Sequence, residues 1–485
     1  METIEIEQIK SKTAKNFLYL SLRNFGIQII TTLGFFILTI ILGASEVGLF
    51  AIVAESIAIL GYFSDIGLAS ALIQQKDNIE TKDLRTTFTI QQLLVLFGLL
   101  IVAIIYPNIA HSKNYGDKEF WILMSLCFSF VAASLKTIPS VLLERKLDFQ
   151  KLSLVDIIEN ILFYLIAVIF ALLGFGVFSY AIATFIKSLI GLIYIYRLQW
   201  WEVGFGYSSS TTKKLMRYGL PFQINSLIAV AKDRMSNLLV AGIIGRESFG
   251  LLSWAQKGPR IPLSFMDAIM KITFPTFARI QEHPELLKKS ITKSIYFIAV
   301  IVFPLLGGIV LVSADIVNLI PKYSKWQPAL IPLYFYAISY ALAAVTTPIT
   351  NAFNAVGKIK TTTKLMIMWT VLTWIFYPIL SYKFGYYGTS VAALIVGLSS
   401  IVVWILAQKY FNTNIFKIIF HPTIATIIFV IIGVLLSSLT DISIYKLFIK
   451  IPASVIIYGI YLWIFSKEEI VWFLSQSKWL KKQLY

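Results

Sequence analysis

The sequence predicts an all-α integral membrane protein with about fourteen transmembrane helices. Its 485 residues are 58% hydrophobic and only 14% charged, and its mean hydropathy is +0.78. A soluble domain is about 45–50% apolar and about 25% charged, so lipid must be the solvent for most of this chain. A cytosolic enzyme, a secreted disulfide scaffold and a disordered protein are therefore excluded. The single cysteine, Cys127, allows neither a disulfide framework nor a cysteine-based metal site.

Fourteen apolar stretches are each close to the roughly 20 residues that a helix needs to cross a hydrocarbon core about 30 Å thick. In chain order these predicted spans 1 to 14 are 16–43, 47–75, 87–106, 119–143, 153–173, 177–196, 218–244, 250–275, 294–314, 329–354, 365–380, 388–407, 418–437 and 451–466. Spans 2, 7 and 8 are unusually polar. The connections are short, so no part of the chain is left for a folded soluble domain.

Lysine and arginine are concentrated in alternate connections. If the N-terminus is inside, the cytoplasmic segments carry 26 of them and the outer connections carry 8. Basic residues favour cytoplasmic loops, so both termini are expected in the cytoplasm. The net charge of +17 is then mainly a topology signal. It also predicts attraction to anionic lipid headgroups, and no binding of nucleic acid is expected.

Short matching segments divide the chain into two parallel repeats. The matched pairs are LGASEVGLFAI (42–52) with IGRESFGLLSW (244–254), GFGVFSYAIA (174–183) with GYYGTSVAAL (385–394), and ERKLDF (144–149) with VGKIKT (356–361). The first pair aligns Gly43 with Gly245 and Gly48 with Gly250. Repeats that both start on the inside are typical of transporters whose halves rock about a central axis.

This repeat defines the expected domain organisation. Two six-helix lobes are followed by two additional helices. The predicted parts are a cytoplasmic N-terminal segment (1–15), an N-lobe (16–198), a cytoplasmic inter-lobe linker (199–217), a C-lobe (218–411), spans 13 and 14 (412–466) and a basic cytoplasmic tail (467–485).

Fourteen charged side chains fall within the predicted spans, where each costs roughly 2.5–3.5 kcal/mol near the membrane centre. They are Arg23, Lys136, Lys187, Lys232, Arg234, Lys257, Arg260, Lys271, Glu55, Asp65, Asp156, Glu159, Asp233 and Asp267. Ten of the fourteen lie in spans 1, 2, 7 and 8, and none lies in spans 9 to 14. Spans 1 and 2 are equivalent to spans 7 and 8 in the repeat, so together they are expected to line a shared cleft.

Span 8 is the clearest case, because its charges share one face. At 100° per residue an arc of about 80° contains Lys257, Arg260, Asp267 and Lys271. Pro259 and Pro262 are expected to kink this span near its outer end, which suits a gating element. An alternative is that the charges form ion pairs that only hold helices together. Lys136 and Lys187, isolated on other spans, are expected to be snorkelling or packing residues.

Several motifs in order carry a family resemblance. They are the LG step at 42–49 with its copy at 244–251, FSDIGLASALIQQKD (63–77), LLERKLDF (142–149), FPTFARIQE (274–282) and YSKWQPAL (323–330). In these motifs the chain resembles the Wzx-type polysaccharide flippases, the PST branch of the MOP exporter superfamily, and especially its colanic and teichuronic acid exporter group.

The resemblance implies a MATE-like fold with a cationic cavity between the lobes. It implies export of an undecaprenyl-diphosphate-linked oligosaccharide, such as a lipopolysaccharide O-antigen repeat unit, by alternating access across the cytoplasmic membrane of a prokaryote. It also suggests H⁺ or Na⁺ antiport, and no other cofactor is expected. The expected partners are the lipid-linked substrate, membrane lipids and other polysaccharide-assembly proteins.

The charge pattern and the resemblance together predict a substrate site. The residues expected to bind the diphosphate and acidic sugars are Arg23, Arg234, Lys257, Arg260 and Lys271. The residues expected to bind a coupling ion or to orient these cations are Glu55, Asp233 and Asp267. Arg23 is placed near the cytoplasmic entrance. Glu55 has no basic neighbour in its own helix, which favours it as a proton carrier.

Two other functions remain open at this point. A membrane glycosyltransferase or O-antigen polymerase would need acid, base or metal-binding groups on a sizeable outer loop. The longest outer loops, 107–118 and 315–328, have only about a dozen residues, and the three histidines are scattered. We therefore expect no enzymatic activity. A multidrug exporter of the MATE branch would favour acidic pockets for cationic drugs, whereas the expected cleft is basic.

Overall fold

In the computed structural model, residues 26–65, 67–75, 79–113, 115–437 and 443–469 are described, and every regular element among them is helical. A π-helical turn, Ala231–Met235, precedes α9, and a short 3₁₀ helix, Ser324–Ala329, precedes α12. The α helices are α1 (Gly26–Ile41), α2 (Ala44–Asp65), α3 (Leu68–Gln74), α4 (Thr81–Lys113), α5 (Asp117–Arg145), α6 (Phe149–Leu172), α7 (Phe178–Leu198), α8 (Ser209–Val230), α9 (Ser236–Arg260), α10 (Leu263–Arg279), α11 (Pro284–Leu319), α12 (Leu330–Ala355), α13 (Ile359–Leu398), α14 (Ile401–Phe411), α15 (Ile415–Ser437) and α16 (Ser443–Phe465).

Ten helical segments among the described residues are long and apolar enough to cross a membrane, and two shorter apolar helices accompany them. The prediction of a multi-pass, all-α membrane protein is confirmed. The exact number of fourteen spans stays a prediction, because α9 and α13 each contain a break. Gly245 (φ 80°, ψ 169°) and Gly385 (φ 60°, ψ −140°) adopt backbone angles that side chains disfavour. Each break falls in or beside a predicted connection between two spans.

Predicted span 2 is two helices rather than one. The α2 helix ends at Asp65 and α3 begins at Leu68, with Gly67 in the left-handed conformation between them. The Asp65 carboxylate accepts a hydrogen bond from the backbone N–H of Ala69 at 3.0 Å, and so bridges the break. The hydropathy of this stretch is continuous, which is why the sequence indicated a single span.

The chain forms two compact units, Met1–Ser253 (unit 1) and Trp254–Tyr485 (unit 2). In unit 1, α7 packs against both α5 and α6. The predicted linker 199–217 belongs to this unit, because Trp201 is only 5% exposed and the Thr211 hydroxyl donates to Asp83 at 2.8 Å. The boundary between the units lies within α9, so the extent of the two predicted lobes stays a prediction.

Unit 2 is built around α11, which packs against α10, α12, α15 and α16. Its core includes Phe277, Ile295 and Phe353, all fully buried. The two additional C-terminal helices, α15 and α16, therefore belong to this unit.

A buried ion pair joins α16 to α11. The ammonium of Lys450, a residue 1% exposed, pairs with Asp315 and donates to the carbonyl oxygen of Leu311 at 2.8 Å. We expected no charges within spans 9 to 14, and neither Asp315 nor Lys450 lies within them, but the helices α11 and α16 extend beyond the predicted spans and include these residues. Each residue lies one position outside the apolar stretch that defined its span, and the pairing neutralises both charges.

Candidate substrate-binding site

The π-helical turn in unit 1 carries three consecutive charges. A π turn inserts an extra residue into a helix and is found frequently at functional sites. Lys232 Nζ lies 2.5 Å from Asp233 Oδ1, and the Asp233 side chain is 63% exposed. Asp233 is thus paired with its own neighbour, an arrangement that fits the expected role of orienting a cation.

Arg234 reaches α2 from this turn. Its Nη1 donates to Glu55 Oε2 at 2.7 Å, and Asn237 Nδ2 donates to the other Glu55 oxygen at 3.4 Å. The Glu55 side chain is 20% exposed and that of Arg234 is 42% exposed. Glu55 has no basic neighbour within its own helix, as the sequence indicated, but Arg234 from the π turn lies beside it. This geometry favours the orienting role for Glu55 over the proton-carrying role.

The four predicted residues of span 8 lie on two helices. The α9 helix ends at Arg260 and α10 begins at Leu263, with Pro262 as its N-cap residue. The kink expected at the two prolines corresponds to a two-residue interruption of the helix, in which Pro262 keeps helical backbone angles (φ −58°, ψ −26°). The calculated arc of about 80° assumed one continuous helix. It therefore does not describe how Lys257 and Arg260 are placed relative to Asp267 and Lys271.

These four residues nevertheless form one electrostatic cluster within unit 2. Arg260 and Lys271 both act on the Asp267 carboxylate, and Arg260 lies close enough to repel Lys257. Arg260, Asp267 and Lys271 are exposed, while Lys257 is half-buried. Three of the four charges are positive. Such a cluster can attract phosphate or carboxylate groups, with Asp267 orienting the cations beside it.

The buried side of α10 explains why these charges are presented outward. Met266 and Met270 pack into a core cluster with α11 and α12. Asp267 and Lys271 are each the next residue along the chain, so they lie on the adjacent, exposed face of α10.

A separate charged cluster lies among α5, α6 and α7. Lys136 Nζ is 2.5 Å from Glu159 Oε1, and both side chains are less than one-fifth exposed. Lys187 Nζ lies 4.7 Å from the centre of the Phe163 ring. Lys136 was expected to be an isolated snorkelling or packing residue, and the structure shows that it is not isolated, because Glu159 from α6 pairs with it. Lys187 packs against an aromatic ring, as expected of a packing residue.

One predicted site residue remains without a structural placement. Arg23 lies outside the described residues, so its position near an entrance stays a prediction. Within the described part of the chain, no group of three or more His, Cys, Asp or Glu side chains is arranged to hold a metal ion.

The two copies of the first repeat motif contact each other in unit 1, which the sequence did not predict. A Cβ atom on Gly48 would lie 1.8 Å from the carbonyl oxygen of Arg246, and one on Gly250 would lie 1.9 Å from that of Ala44. Only glycine permits this approach of α2 and α9. The alignment of Gly48 with Gly250 in the repeat is the sequence feature from which this contact could have been predicted.

An ion pair lies near this crossing. Arg246 Nη1 is 2.6 Å from Glu119 Oε1, and the Glu119 side chain is 9% exposed. Arg246 lies in a predicted outer connection and Glu119 is the first residue of predicted span 4, and neither was a candidate site residue.

Solved transporter structures share this fold. The lipid II flippase MurJ, in an inward closed conformation, matches with a TM-score of 0.77 at 16% identity, covering 93% of this chain and 99% of that one. An inward-facing multidrug resistance MATE family transporter of the MOP superfamily matches with a TM-score of 0.60 at 18% identity, covering 79% and 94%. The expected MATE-like fold is confirmed.

Curated relatives are also found by sequence. The teichuronic acid biosynthesis protein TuaB of Bacillus subtilis is 25% identical over 301 residues, which span 61% of this chain and 61% of that protein. The lipopolysaccharide biosynthesis protein WzxC of Escherichia coli is 23% identical over 341 residues (69% and 68%). The succinoglycan biosynthesis transport protein ExoT of Rhizobium meliloti is 24% identical over 337 residues (69% and 67%).

A family model decides the assignment. The model described as "Polysaccharide biosynthesis protein" matches residues 37–331, more than half of the chain. The structural neighbours add the fold, which is that of solved membrane transporters. The chain therefore belongs to the polysaccharide biosynthesis protein family, within the fold of the MOP superfamily transporters.

Proposed function

We propose that this protein carries an oligosaccharide linked to a polyprenyl diphosphate, namely undecaprenyl diphosphate, across the cytoplasmic membrane of a prokaryote. The observation that carries the proposal is the cluster at the junction of α9 and α10, where Lys257, Arg260 and Lys271 outnumber Asp267. The transport names of the relatives and the flippase fold support it.

The chemistry of such a substrate suits a cationic site. A diphosphate and acidic sugars are too polar to enter hydrocarbon unaided, because their desolvation is not compensated there. Arginine and lysine offer charge-assisted hydrogen bonds that replace the lost water. The prenyl chain is apolar and stays in lipid while the headgroup crosses.

Transport requires the protein to alternate between two states. A substrate shifts such an equilibrium only through its different affinity for the two states. The break between α9 and α10 provides a junction at which Lys257 and Arg260 can move relative to Asp267 and Lys271. We propose alternating access driven by H⁺ or Na⁺ antiport, with Glu55, Asp233 and Asp267 as orienting or ion-binding groups.

The same proposal includes the surroundings of the protein. Both termini are placed in the cytoplasm, membrane lipids surround the helices, and other polysaccharide-assembly proteins supply and consume the substrate. A drug exporter is disfavoured, because cationic drugs are repelled by a site in which cations predominate.

The proposal is tested by neutralising the cations of unit 2. Arg260→Ala and Lys257→Ala should abolish export of the surface polysaccharide, measured on intact cells, while membrane abundance stays unchanged. Removing a charge from the membrane-spanning part lowers the desolvation cost, so insertion should not suffer. Lys213→Ala, which removes an exposed cation at the start of α8, is the matched control.

Unchanged export with all three cations replaced would overturn the site assignment and leave the charges as structural ion pairs. Efflux of a cationic dye that depends on Asp267, without any polysaccharide defect, would instead favour the multidrug exporter.

A further inference from the structure

An apolar crevice opens on the surface of unit 1, at the end of α7 that leads into the predicted linker. Its volume is about 450 Å³, and its lining residues are Leu135, Leu192, Ile193, Tyr196, Arg197 and Trp200. The crevice is open to the surface rather than enclosed, as suits a lipid that stays in contact with the bilayer. Five of the six residues are aliphatic or aromatic, and the sixth is a cation.

The walls of the crevice are fixed by hydrogen bonds. The Tyr196 hydroxyl donates to the carbonyl oxygen of Leu135 at 3.1 Å, and so ties α7 to α5. Trp201 Nε1 donates to the same hydroxyl oxygen at 3.3 Å, and the Trp200 ring packs edge-on against Tyr196, with 5.7 Å between ring centres. The crevice is therefore a formed feature of unit 1.

The approach to the crevice is apolar along the helix. Phe185, Leu189 and Ile193 follow at intervals of four residues on α7 and are 44%, 38% and 48% exposed. Residues four apart share one face of a helix. This exposed stripe leads directly to the crevice, and in a membrane-spanning helix such a stripe faces acyl chains.

The charged end of the crevice is suited to a phosphate. Arg197 lies in the last turn of α7 and is exposed, and it has no hydrogen bond or ion pair with any other described residue. Lys146 is close by but is engaged, since its Nζ donates to Gln199 Oε1 at 2.7 Å. Tryptophan and tyrosine beside a basic residue are typical of the level of lipid headgroups.

We propose that this crevice binds one molecule of an anionic phospholipid. An acyl chain fills the apolar part and continues along the α7 stripe, and the headgroup phosphate accepts hydrogen bonds from the Arg197 guanidinium. The single lining cation matches the single negative charge of a phosphodiester. The diphosphate of the transported lipid carries at least two charges and is matched less well. The site is distinct from the substrate cluster at α9 and α10.

The test is native mass spectrometry of the purified full-length protein, with equimolar phosphatidylglycerol and phosphatidylcholine carrying the same acyl chains. Wild type should retain one phosphatidylglycerol in preference to phosphatidylcholine. Arg197→Gln should lower that preference about fivefold, the loss expected for one cation at an anionic headgroup. Lys213→Gln, which removes an exposed cation outside the crevice, should leave the preference unchanged.

A second variant tests the apolar part. Ile193→Trp fills the crevice and should reduce the retention of both lipids, without unfolding the protein, because Ile193 is 48% exposed. A preference unchanged by Arg197→Gln, or a retention unchanged by Ile193→Trp, would overturn the proposal. Displacement of the bound phospholipid by undecaprenyl diphosphate in wild type but not in Arg197→Gln would also overturn it, and would assign the crevice to the transported lipid.

Discussion

At the scale of single residues, the membrane-spanning charges are arranged as partnered groups. Glu55 with Arg234, Lys136 with Glu159, and Lys450 with Asp315 each join two different helical elements. A charge in a low-dielectric interior is tolerated when a partner and further hydrogen bonds replace its water. Removing one partner therefore leaves an uncompensated charge, whereas exchanging both can preserve the pair.

The pair between Glu55 and Arg234 allows a charge-exchange prediction. Glu55→Arg and Arg234→Glu should each reduce polysaccharide export strongly, because each places two like charges about 3 Å apart. The double exchange should restore a substantial part of export if Glu55 only orients Arg234. The interaction energy follows from the double-mutant cycle.

The same cycle separates the two roles considered for Glu55. A double exchange that exports no better than either single variant, at equal membrane abundance, would contradict the orienting role and favour ion coupling by Glu55. The exchange of Glu80 with Lys82 is a suitable control, because these two residues form an exposed ion pair outside the proposed site.

The sequence indicated which charged residues lie within apolar stretches but not how they pair. Glu55 and Arg234 were found because a charge within an apolar stretch is costly and therefore conspicuous. Their contact depends on a π-helical turn, which changes the direction of Arg234 in a way that a fixed 100° per residue does not describe. Lys450 and Asp315 were missed because each lies just beyond the edge of an apolar stretch.

At the scale of elements, hydropathy located helices well and their interruptions less well. The expected stretches 119–143 and 329–354 correspond to Asp117–Arg145 and Leu330–Ala355. Apolar content is a property of a whole stretch, so it is visible in the sequence. A break depends on one or two residues whose effect is decided by packing. Pro259 and Pro262 were expected to kink a span, and in the structure the helix is interrupted for two residues beside them.

The glycine crossing of α2 and α9 allows a prediction at this scale. Alanine in place of glycine within a helix is normally favourable by about 1 kcal/mol. At Gly48 the added Cβ would lie 1.8 Å from a backbone oxygen, so the helices must separate. Gly48→Ala and Gly250→Ala should therefore lower the Tm of the purified protein and impair export.

A matched control lies on the same helix. Gly61 of α2 has open space where a Cβ would be placed, so Gly61→Ala should leave the Tm equal or higher and leave export intact. Equal behaviour of Gly48→Ala and Gly61→Ala would show that the close approach of α2 and α9 is not needed for stability or transport.

At the scale of the whole molecule, the repeat and the compact units divide the chain at different places. The repeat places the start of the second half near residue 218, whereas unit 1 extends to Ser253. The reason is local to unit 1, in which α8 packs against α3 and α4. A sequence repeat reflects the ancestry and the pseudo-symmetry of a chain. Compact units reflect which helices pack together in one conformation, so the two divisions need not coincide.

The last prediction is the membrane topology of the whole chain, and the lengths of two helices support it. The α4 helix has 33 residues and α11 has 36, so each is about 50 Å long and exceeds the hydrocarbon thickness of about 30 Å. The two ends of each helix must therefore lie on opposite sides of the membrane. The predicted cytoplasmic segments carry 26 basic residues and the outer connections carry 8, and this difference predicts which side is cytoplasmic.

Reporter fusions test both parts of this argument. A fluorescent protein that folds only in the cytoplasm should be fluorescent when it is fused at Glu80 or Glu285. A phosphatase that is active only outside the cytoplasm should be active when it is fused at Ser112 or Lys322. Glu80 directly precedes α4 and Ser112 lies in its last turn, while Glu285 and Lys322 lie in the first turn of α11 and just beyond its end. If the fusions at the two ends of one helix report the same side, that helix does not cross the membrane. If every fusion reports the side opposite to the expected one, each helix still crosses but the orientation of the protein is inverted, and the basic loops lie on the outer face.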